Sequence, residues 1–280
     1  MKKATGSISR RTPSGDRDRA EAIAILISRI AFLEAALDRL CWQRFYEREP
    51  SKPRGRSPKT LTPAQVRFVR ATSDGWLMVK IGGQTEALPS GLQVSLTSSS
   101  GGRDYGTVGE GRFAGQNFDV VSSNLVTSYR QTSSLKIKVT TRPGGPIVID
   151  GFAYDLNVSM TYAEDGTTKS LGPFPAITDP DNPLPAGDHV VEIADYPHPG
   201  GSTYGAHGMV WFRLGTSGDR YLHPGKFSAG CLTCAPGNWE KIYNVVHCAR
   251  KNPTTAGDLN FAPSPIVVAV SAARRRKAHA

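Results

Sequence analysis

The sequence predicts a mainly β protein, and three observations carry that reading. Gly (29) and Pro (20) are abundant among the 280 residues, a composition that punctuates helices and favours turns. Short runs of alternating apolar and polar residues recur from residue 75 onward, bounded by Gly/Ser clusters. Helical periodicity is confined to one stretch before residue 50 and another near residue 240. A chain of this length has room for one or two domains and a substantial core.

Taken in order, residues 1–18 are polar and basic and are expected to be disordered. Residues 19–49 place Leu26, Ile30, Leu33, Leu37 and Leu40 at spacings of four and three, the stripe of an amphipathic helix. The stripe is too short to demand a coiled coil, so it predicts docking on the body or on a partner. Cys41 and Trp42 near its end read as packing residues. Residues 50–74 are Pro-punctuated and basic, a linker. Residues 75–150 form a β-rich region of unassigned role, with strands expected at 76–81, 93–97, 135–140 and 147–149. Residues 151–270 are more orderly. Strands at 156–162 and 168–177 flank the hairpin signal Glu164-Asp165-Gly166, and further strands are expected at 187–193, 209–214 and 220–223. Trp239, Ile242, Tyr243 and Val246 then fall at helical spacing behind Asn238, a plausible N-cap. A closing strand is expected at 265–270, and residues 271–280 form a basic tail.

The net charge of +10 sits at the ends of the chain. Residues 1–70 carry 16 Lys/Arg against 7 Asp/Glu, residues 71–270 carry 14 against 17, and Arg274, Arg275, Arg276 and Lys277 complete the total. The body is therefore slightly acidic, which argues against specific nucleic-acid binding as its main task. The most apolar run, 22–33, contains Arg29 and is too short to span a bilayer. No apolar stretch follows Met1-Lys2-Lys3 before Arg17-Asp18-Arg19, so no signal peptide is recognisable. The expectation is synthesis in the cytoplasm and, if the protein acts outside it, export by a non-classical route.

Chemistry concentrates in Leu222-His-Pro-Gly-Lys-Phe-Ser-Ala-Gly-Cys231. A cysteine is a weak nucleophile at neutral pH until a base takes its proton, and histidine is the usual base. Gly230 permits a tight turn before Cys231, and the paired N–H groups of Gly230 and Cys231 would form an oxyanion hole. His223 ends a strand whose alternation puts Tyr221 on the same face, with the ring expected to project from the sheet edge towards the cysteine loop. Ser228 would hydrogen-bond the imidazole or the substrate. Tyr204, His207 and Gly208 fall in a loop that would edge the cleft, while His189 and His198 carry no assignment.

With these pieces in place, residues ~155–270 resemble the L,D-transpeptidase (YkuD-type) catalytic domain. The likeness rests on the hairpin at Asp165-Gly166, on Asn182-Pro-Leu-Pro-Ala-Gly187 as a Pro-x-Gly segment, and on His223 followed by Ser228-Ala-Gly-Cys231. The compressed His-to-Cys spacing is most similar to the variants used as peptidoglycan-targeting secreted effectors. The resemblance implies a β-sandwich or barrel with a short helix after the catalytic cysteine. It also implies acyl transfer on peptidoglycan stem peptides through Cys231 and His223 (transpeptidase, carboxypeptidase or D-amino-acid exchange), without a cofactor or metal. It places the action in the periplasm or cell wall, with a secretion-system component or an immunity protein as partners. Two departures stand out: Ala229 replaces the family's usual histidine, and Leu232-Thr233-Cys234 follows the nucleophile where many members carry an arginine. Arg213 or Arg220 could supply that cation beside Tyr221 as substrate-binding groups.

The same cysteines admit a rival reading. Cys231 and Cys234, with His247 and Cys248, have the ligand types of a zinc site in a non-enzymatic binding or structural module. His247 and Cys248 are adjacent on the expected helix and point about 100° apart, which makes a shared metal awkward. A redox Cys-x-x-Cys lacks a surrounding βαβ pattern, and a Cys234–Cys248 disulfide would suit an oxidising compartment.

Overall fold

The computed structural model describes residues 65–215 and 219–263. The expected N-terminal helix and basic N-terminus, the closing strand at 265–270 and the basic tail lie outside them, as do residues 216–218.

The first body is an antiparallel sheet of seven strands: β1 (Gln65–Val69), β2 (Trp76–Ile81), β3 (Gln84–Pro89), β4 (Gln93–Ser100), β5 (Arg103–Val108), β6 (Asn117–Val121) and β7 (Leu125–Val126). Its order is β3-β2-β6-β5-β4-β1-β7. Alternation drives it, since Val79 and Ile81 on β2, Val94 and Leu96 on β4, and Phe118 and Val120 on β6 all point into one core. Strand β1 lies inside the stretch expected to be linker (50–74). Its fragment Val66-Arg67-Phe68-Val69 is short enough that the neighbouring prolines and basic residues masked its alternation.

The second body holds β8 (Ser133–Thr141), the ribbon β9 (Ile147–Ile149) and β10 (Phe152–Tyr154), β11 (Leu156–Glu164), β12 (Thr167–Ile177), β13 (Gly187–Glu192), β14 (Phe212–Arg213), β15 (Tyr221–Pro224), β16 (Leu232–Cys234), helix α1 (Trp239–Val246) and β17 (Thr255–Ala262). Its eight-stranded sheet runs β13-β17-β8-β11-β12-β16-β15-β14. A single antiparallel bridge, Val191 to Leu214, joins the two edge strands. The sheet is thereby a nearly closed barrel, so the mainly β class and the short helix after Cys231 are both present.

The β11–β12 hairpin shows the sequence logic. Leu156, Val158, Met160 and Tyr162 alternate inward and are all buried. Asp165 and Gly166, both at positive φ (50° and 74°), form the two-residue turn. On α1, Trp239, Ile242, Tyr243 and Val246 bury one face in the barrel core. Truncating such a core side chain to alanine costs roughly 2–5 kcal/mol.

The structure moves two further boundaries. Strand β8, expected to belong to the 75–150 region, lies between β17 and β11 in the second sheet, so the second body begins near residue 133 and not 151. The strand expected at 209–214 shortens to Phe212–Arg213, flanked by lone bridges at Val210 and Leu214. Arg250 ties the bodies together through Glu110 (2.7 Å), and Gly111 N–H donates to the Pro253 carbonyl (2.7 Å). No helix among the described residues is long and apolar enough to cross a membrane.

Candidate active site

Cys231 stands at a bend just before β16 and is half-buried. Strands β15 and β16 run parallel, with Leu222 opposite Leu232, His223 opposite Thr233 and Pro224 opposite Cys234. The residues between them, 225–231, arch over the end of the sheet and carry the nucleophile candidate. Their hydrogen bonds explain the arch. Ser228 Oγ donates to the Cys231 carbonyl (2.7 Å) and accepts from Gly230 N–H (3.1 Å), so one hydroxyl closes the turn. Gly225 N–H donates to the Cys234 carbonyl (3.0 Å), and the buried Tyr154 hydroxyl donates to the Gly225 carbonyl (3.0 Å).

Gly230 sits at φ +112°, a region that L side chains rarely adopt, and a Cβ there would fall 1.3 Å from Arg220 Nη1. Arg220 lies over this glycine. Its guanidinium donates to the Ala229 carbonyl (3.4 Å), the Asn182 carbonyl (3.2 Å) and Asn182 Oδ1 (2.6 Å). The Pro-x-Gly segment that begins at Asn182 is thereby docked on the cysteine loop.

His223 lies in β15, one residue before its end at Pro224, and its ring does not project from the sheet edge. The residue is 8 % exposed. The Trp211 ring stacks on it at 4.1 Å, and His198 stacks on the opposite face of Trp211, also at 4.1 Å. Nδ1 meets the Pro224 carbonyl at 2.9 Å and Nε2 meets Thr233 Oγ1 at 3.0 Å. Burial lowers its pKa to about 4, so the imidazole is neutral at physiological pH. The Cys231 thiol is within 3.9 Å of the Asp219 carbonyl, on the side of the loop leading into β15.

Four expectations are corrected by this geometry. Ser228 bonds the loop backbone and not the imidazole. The Gly230 N–H is spent on Ser228, so the Gly230–Cys231 oxyanion pair is not set up in this arrangement. Arg220 is committed to backbone and side-chain oxygens of the protein, which gives it a clamping task in place of a substrate contact. Tyr221 is buried, with its hydroxyl 3.3 Å from that of Tyr196. Arg213 pairs with Asp219 at 3.8 Å and is 28 % exposed, leaving it the better placed of the two arginines for an anionic group.

The zinc arrangement is not assembled. Among the described residues no three His, Cys, Asp or Glu side chains converge as a metal site requires. Cys234 is buried in the barrel core, where desolvation pushes its thiol pKa well up. Cys248 lies against its own neighbour His247 (3.3 Å to Nε2), and burial raises its thiol to about 11. Neither Cys234 nor Cys248 is in a disulfide, so the Cys234–Cys248 bond is not formed.

Sequence reasoning missed two groups. Thr233 became a neighbour of His223 only through the parallel β15–β16 pairing. His198 is 1 % exposed, with neither ring nitrogen hydrogen-bonded and the Asp195 carboxylate 4.0 Å away. Desolvation holds the pKa of His198 well down and raises that of Asp195 to about 6. In sequence, Tyr196-Pro-His-Pro-Gly-Gly201 reads as a loop, and nothing in it signals an enclosed imidazole. His207, expected at the cleft edge, stacks instead on Tyr243 at 3.9 Å, at the junction with the first body.

Compared with protein-family models, with curated proteins and with solved structures, the chain matches none of them.

Proposed function

We propose that the protein is a cysteine acyl-transfer enzyme acting on peptidoglycan stem peptides, with Cys231 as nucleophile and His223 as general base. The observation that carries the reading is the arch 225–231. It presents a half-buried thiol at the rim of the barrel, just before a strand whose parallel neighbour carries a neutral, buried histidine. A neutral imidazole is the form able to accept a proton.

In this reading the Cys231 sulfur adds to the carbonyl carbon of the third stem residue while its proton passes to His223. The tetrahedral adduct collapses, the C–N bond breaks, and His223 returns the proton to the departing D-alanine amine. Water or an amine then attacks the thioester. His223 takes the acceptor's proton and gives it to the Cys231 sulfur as the thioester C–S bond breaks. Arg213, partly exposed on β14 opposite Tyr221, would meet a substrate carboxylate. The choice of stem peptides, action in the periplasm or cell wall, and delivery through a secretion system with an immunity partner all rest on the family resemblance.

The test is incubation of the full chain with tetrapeptide muropeptides, following D-alanine release by mass spectrometry. Release by the parent protein and its loss in Cys231→Ala are expected. Equal release by Cys231→Ala would sink the mechanism.

A further inference from the structure

Both nitrogens of His223 are already committed in this structure, and their partners fix the proton's place. The Pro224 carbonyl can only accept, so Nδ1 carries the hydrogen. Nε2 is then the lone-pair nitrogen, and the Thr233 hydroxyl, 3.0 Å away, is its donor. The contact is sealed: Thr233 is 0 % exposed, and the imidazole is enclosed by Trp211 on one face. It is also built into the fold, because the parallel register of β15 and β16 sets His223 directly opposite Thr233.

We propose that Thr233 is a gate on the base. In the resting site its hydroxyl fills the only basic nitrogen of His223, and the reactive pair forms when Thr233 releases Nε2 to the thiol of Cys231. The proposal rests on the acyl-transfer reading for its purpose, since it describes how that same site is held in check.

The physical argument has a definite sign. A hydrogen bond donated to the lone pair stabilises the neutral imidazole and opposes its protonation, so Thr233 weakens the base beyond what burial does. No charged side chain is hydrogen-bonded to the ring to oppose this. The titratable groups around it are His198 across Trp211, Tyr221 earlier on β15, Cys234 next to Thr233, and Tyr154, whose hydroxyl holds the Gly225 carbonyl, with Cys231 two residues before Thr233. On release, the S–H bond of Cys231 breaks and an N–H bond forms at Nε2, giving a thiolate and an imidazolium. Thr233 keeps its own proton throughout. Cys231 stands two residues before Thr233, at the bend that leads into β16, so the thiol and the gate are carried by the same short stretch of chain.

The experiment reads the thiol itself. Full-length protein is alkylated with iodoacetamide from mildly acidic to alkaline pH, and modification of Cys231 is scored by peptide mass spectrometry. Thr233→Val keeps the shape and removes the hydroxyl. It is expected to alkylate about tenfold faster at neutral pH, the gain in thiolate that goes with a base strengthened by about one pH unit, with the profile moved to lower pH. Thr233→Ser should match the parent, and adding His223→Gln to Thr233→Val should abolish the gain. Buried Cys234 and Cys248 should stay unmodified in each protein. A Thr233→Val rate equal to or below the parent's overturns the gate, as does a gain that survives His223→Gln. If Thr233→Val does not fold, Thr233→Ala removes the same hydroxyl with the same expectation. Absence of D-alanine release from the parent would count against the acyl-transfer reading, whereas an unchanged alkylation profile counts against the gate alone.

Discussion

The guanidinium of Arg220 grips Asn182 at two points, the backbone carbonyl at 3.2 Å and the side-chain oxygen at 2.6 Å, while a third bond reaches the Ala229 carbonyl. A planar fork of donors is suited to holding two segments in a fixed relation, and a lysine is not. Arg220→Lys and Arg220→Ala are therefore both expected to release the cysteine loop from the segment at Asn182. D-alanine release should fall by up to ~10²-fold, the scale set by misplacing a reacting group by about an ångström. Global stability, measured by urea denaturation, should change little because the clamp lies at the barrel rim.

Gly230 answers to the same clamp. Gly230→Ala must carry a side chain at φ +112° and place its Cβ 1.3 Å from Arg220 Nη1. The strained backbone alone costs about 1–3 kcal/mol. Combining it with Arg220→Ala removes the clash with the guanidinium but keeps the strain and the 2.8 Å approach to the Asn182 carbonyl, so the double variant should regain only part of the loss. Urea midpoints of the two single variants and the double variant check this.

The buried histidines predict acid sensitivity. His223 and His247 are held near 4, below the ordinary value of 6.5, mainly by desolvation, and His198 is held down by burial and by His223. The unfolded chain binds more protons than the native one in this range. For His223 and His247 the stabilisation is therefore complete above pH ~6.5 and is lost as pH falls towards ~4, on the order of 3 kcal/mol each, and His198 acts in the same direction. Asp195 works the other way: burial raises it to about 6, so it disfavours the native state above that pH. Urea denaturation should show falling stability between neutral pH and pH ~4.5. Asp195→Asn should raise stability at neutral pH and have little effect at the acid end.

Arg250 predicts how the two bodies are coupled. Its pair with Glu110 is largely buried, at 13 % and 9 % side-chain exposure, and Arg250 also donates to the Gly91 carbonyl. Arg250→Ala leaves a buried carboxylate without its partner, a loss of about 3–5 kcal/mol. Adding Glu110→Ala should recover part of that loss, less the bond Glu110 accepts from Gln93 N–H. A double-mutant cycle by thermal or urea unfolding measures the difference.

Local patterns were legible wherever one face of a strand was apolar. The strand at 76–81, the turn at Asp165-Gly166 and the helical face of Trp239, Ile242, Tyr243 and Val246 all read directly from residue order. Strand β17 did not, because Gly257, Asp258 and Asn260 look like turn residues. Yet a Cβ on Gly257 would meet the Leu135 carbonyl at 2.6 Å, so the glycine marks close strand approach and not a turn. The site divides the same way. Ser228, Gly230 and Cys231 are neighbours in sequence and announce a tight loop. The bonds from His223 to Thr233 and from Arg220 to Asn182 depend on which strands lie side by side, and no spacing along the chain encodes that.

The closure of the barrel in the second body has a mechanical consequence. Seven of its eight junctions are strand ladders, whereas the junction between β13 and β14 is the single Val191–Leu214 bridge. Such a cylinder has a seam, and the cheapest opening of its wall runs along that line. In hydrogen–deuterium exchange, the amides of β14 should gain deuterium ahead of those on β8 and β11, which are laddered on both sides. Arg213 belongs to β14, so thermal breathing of the wall and the placement of its guanidinium are one and the same motion.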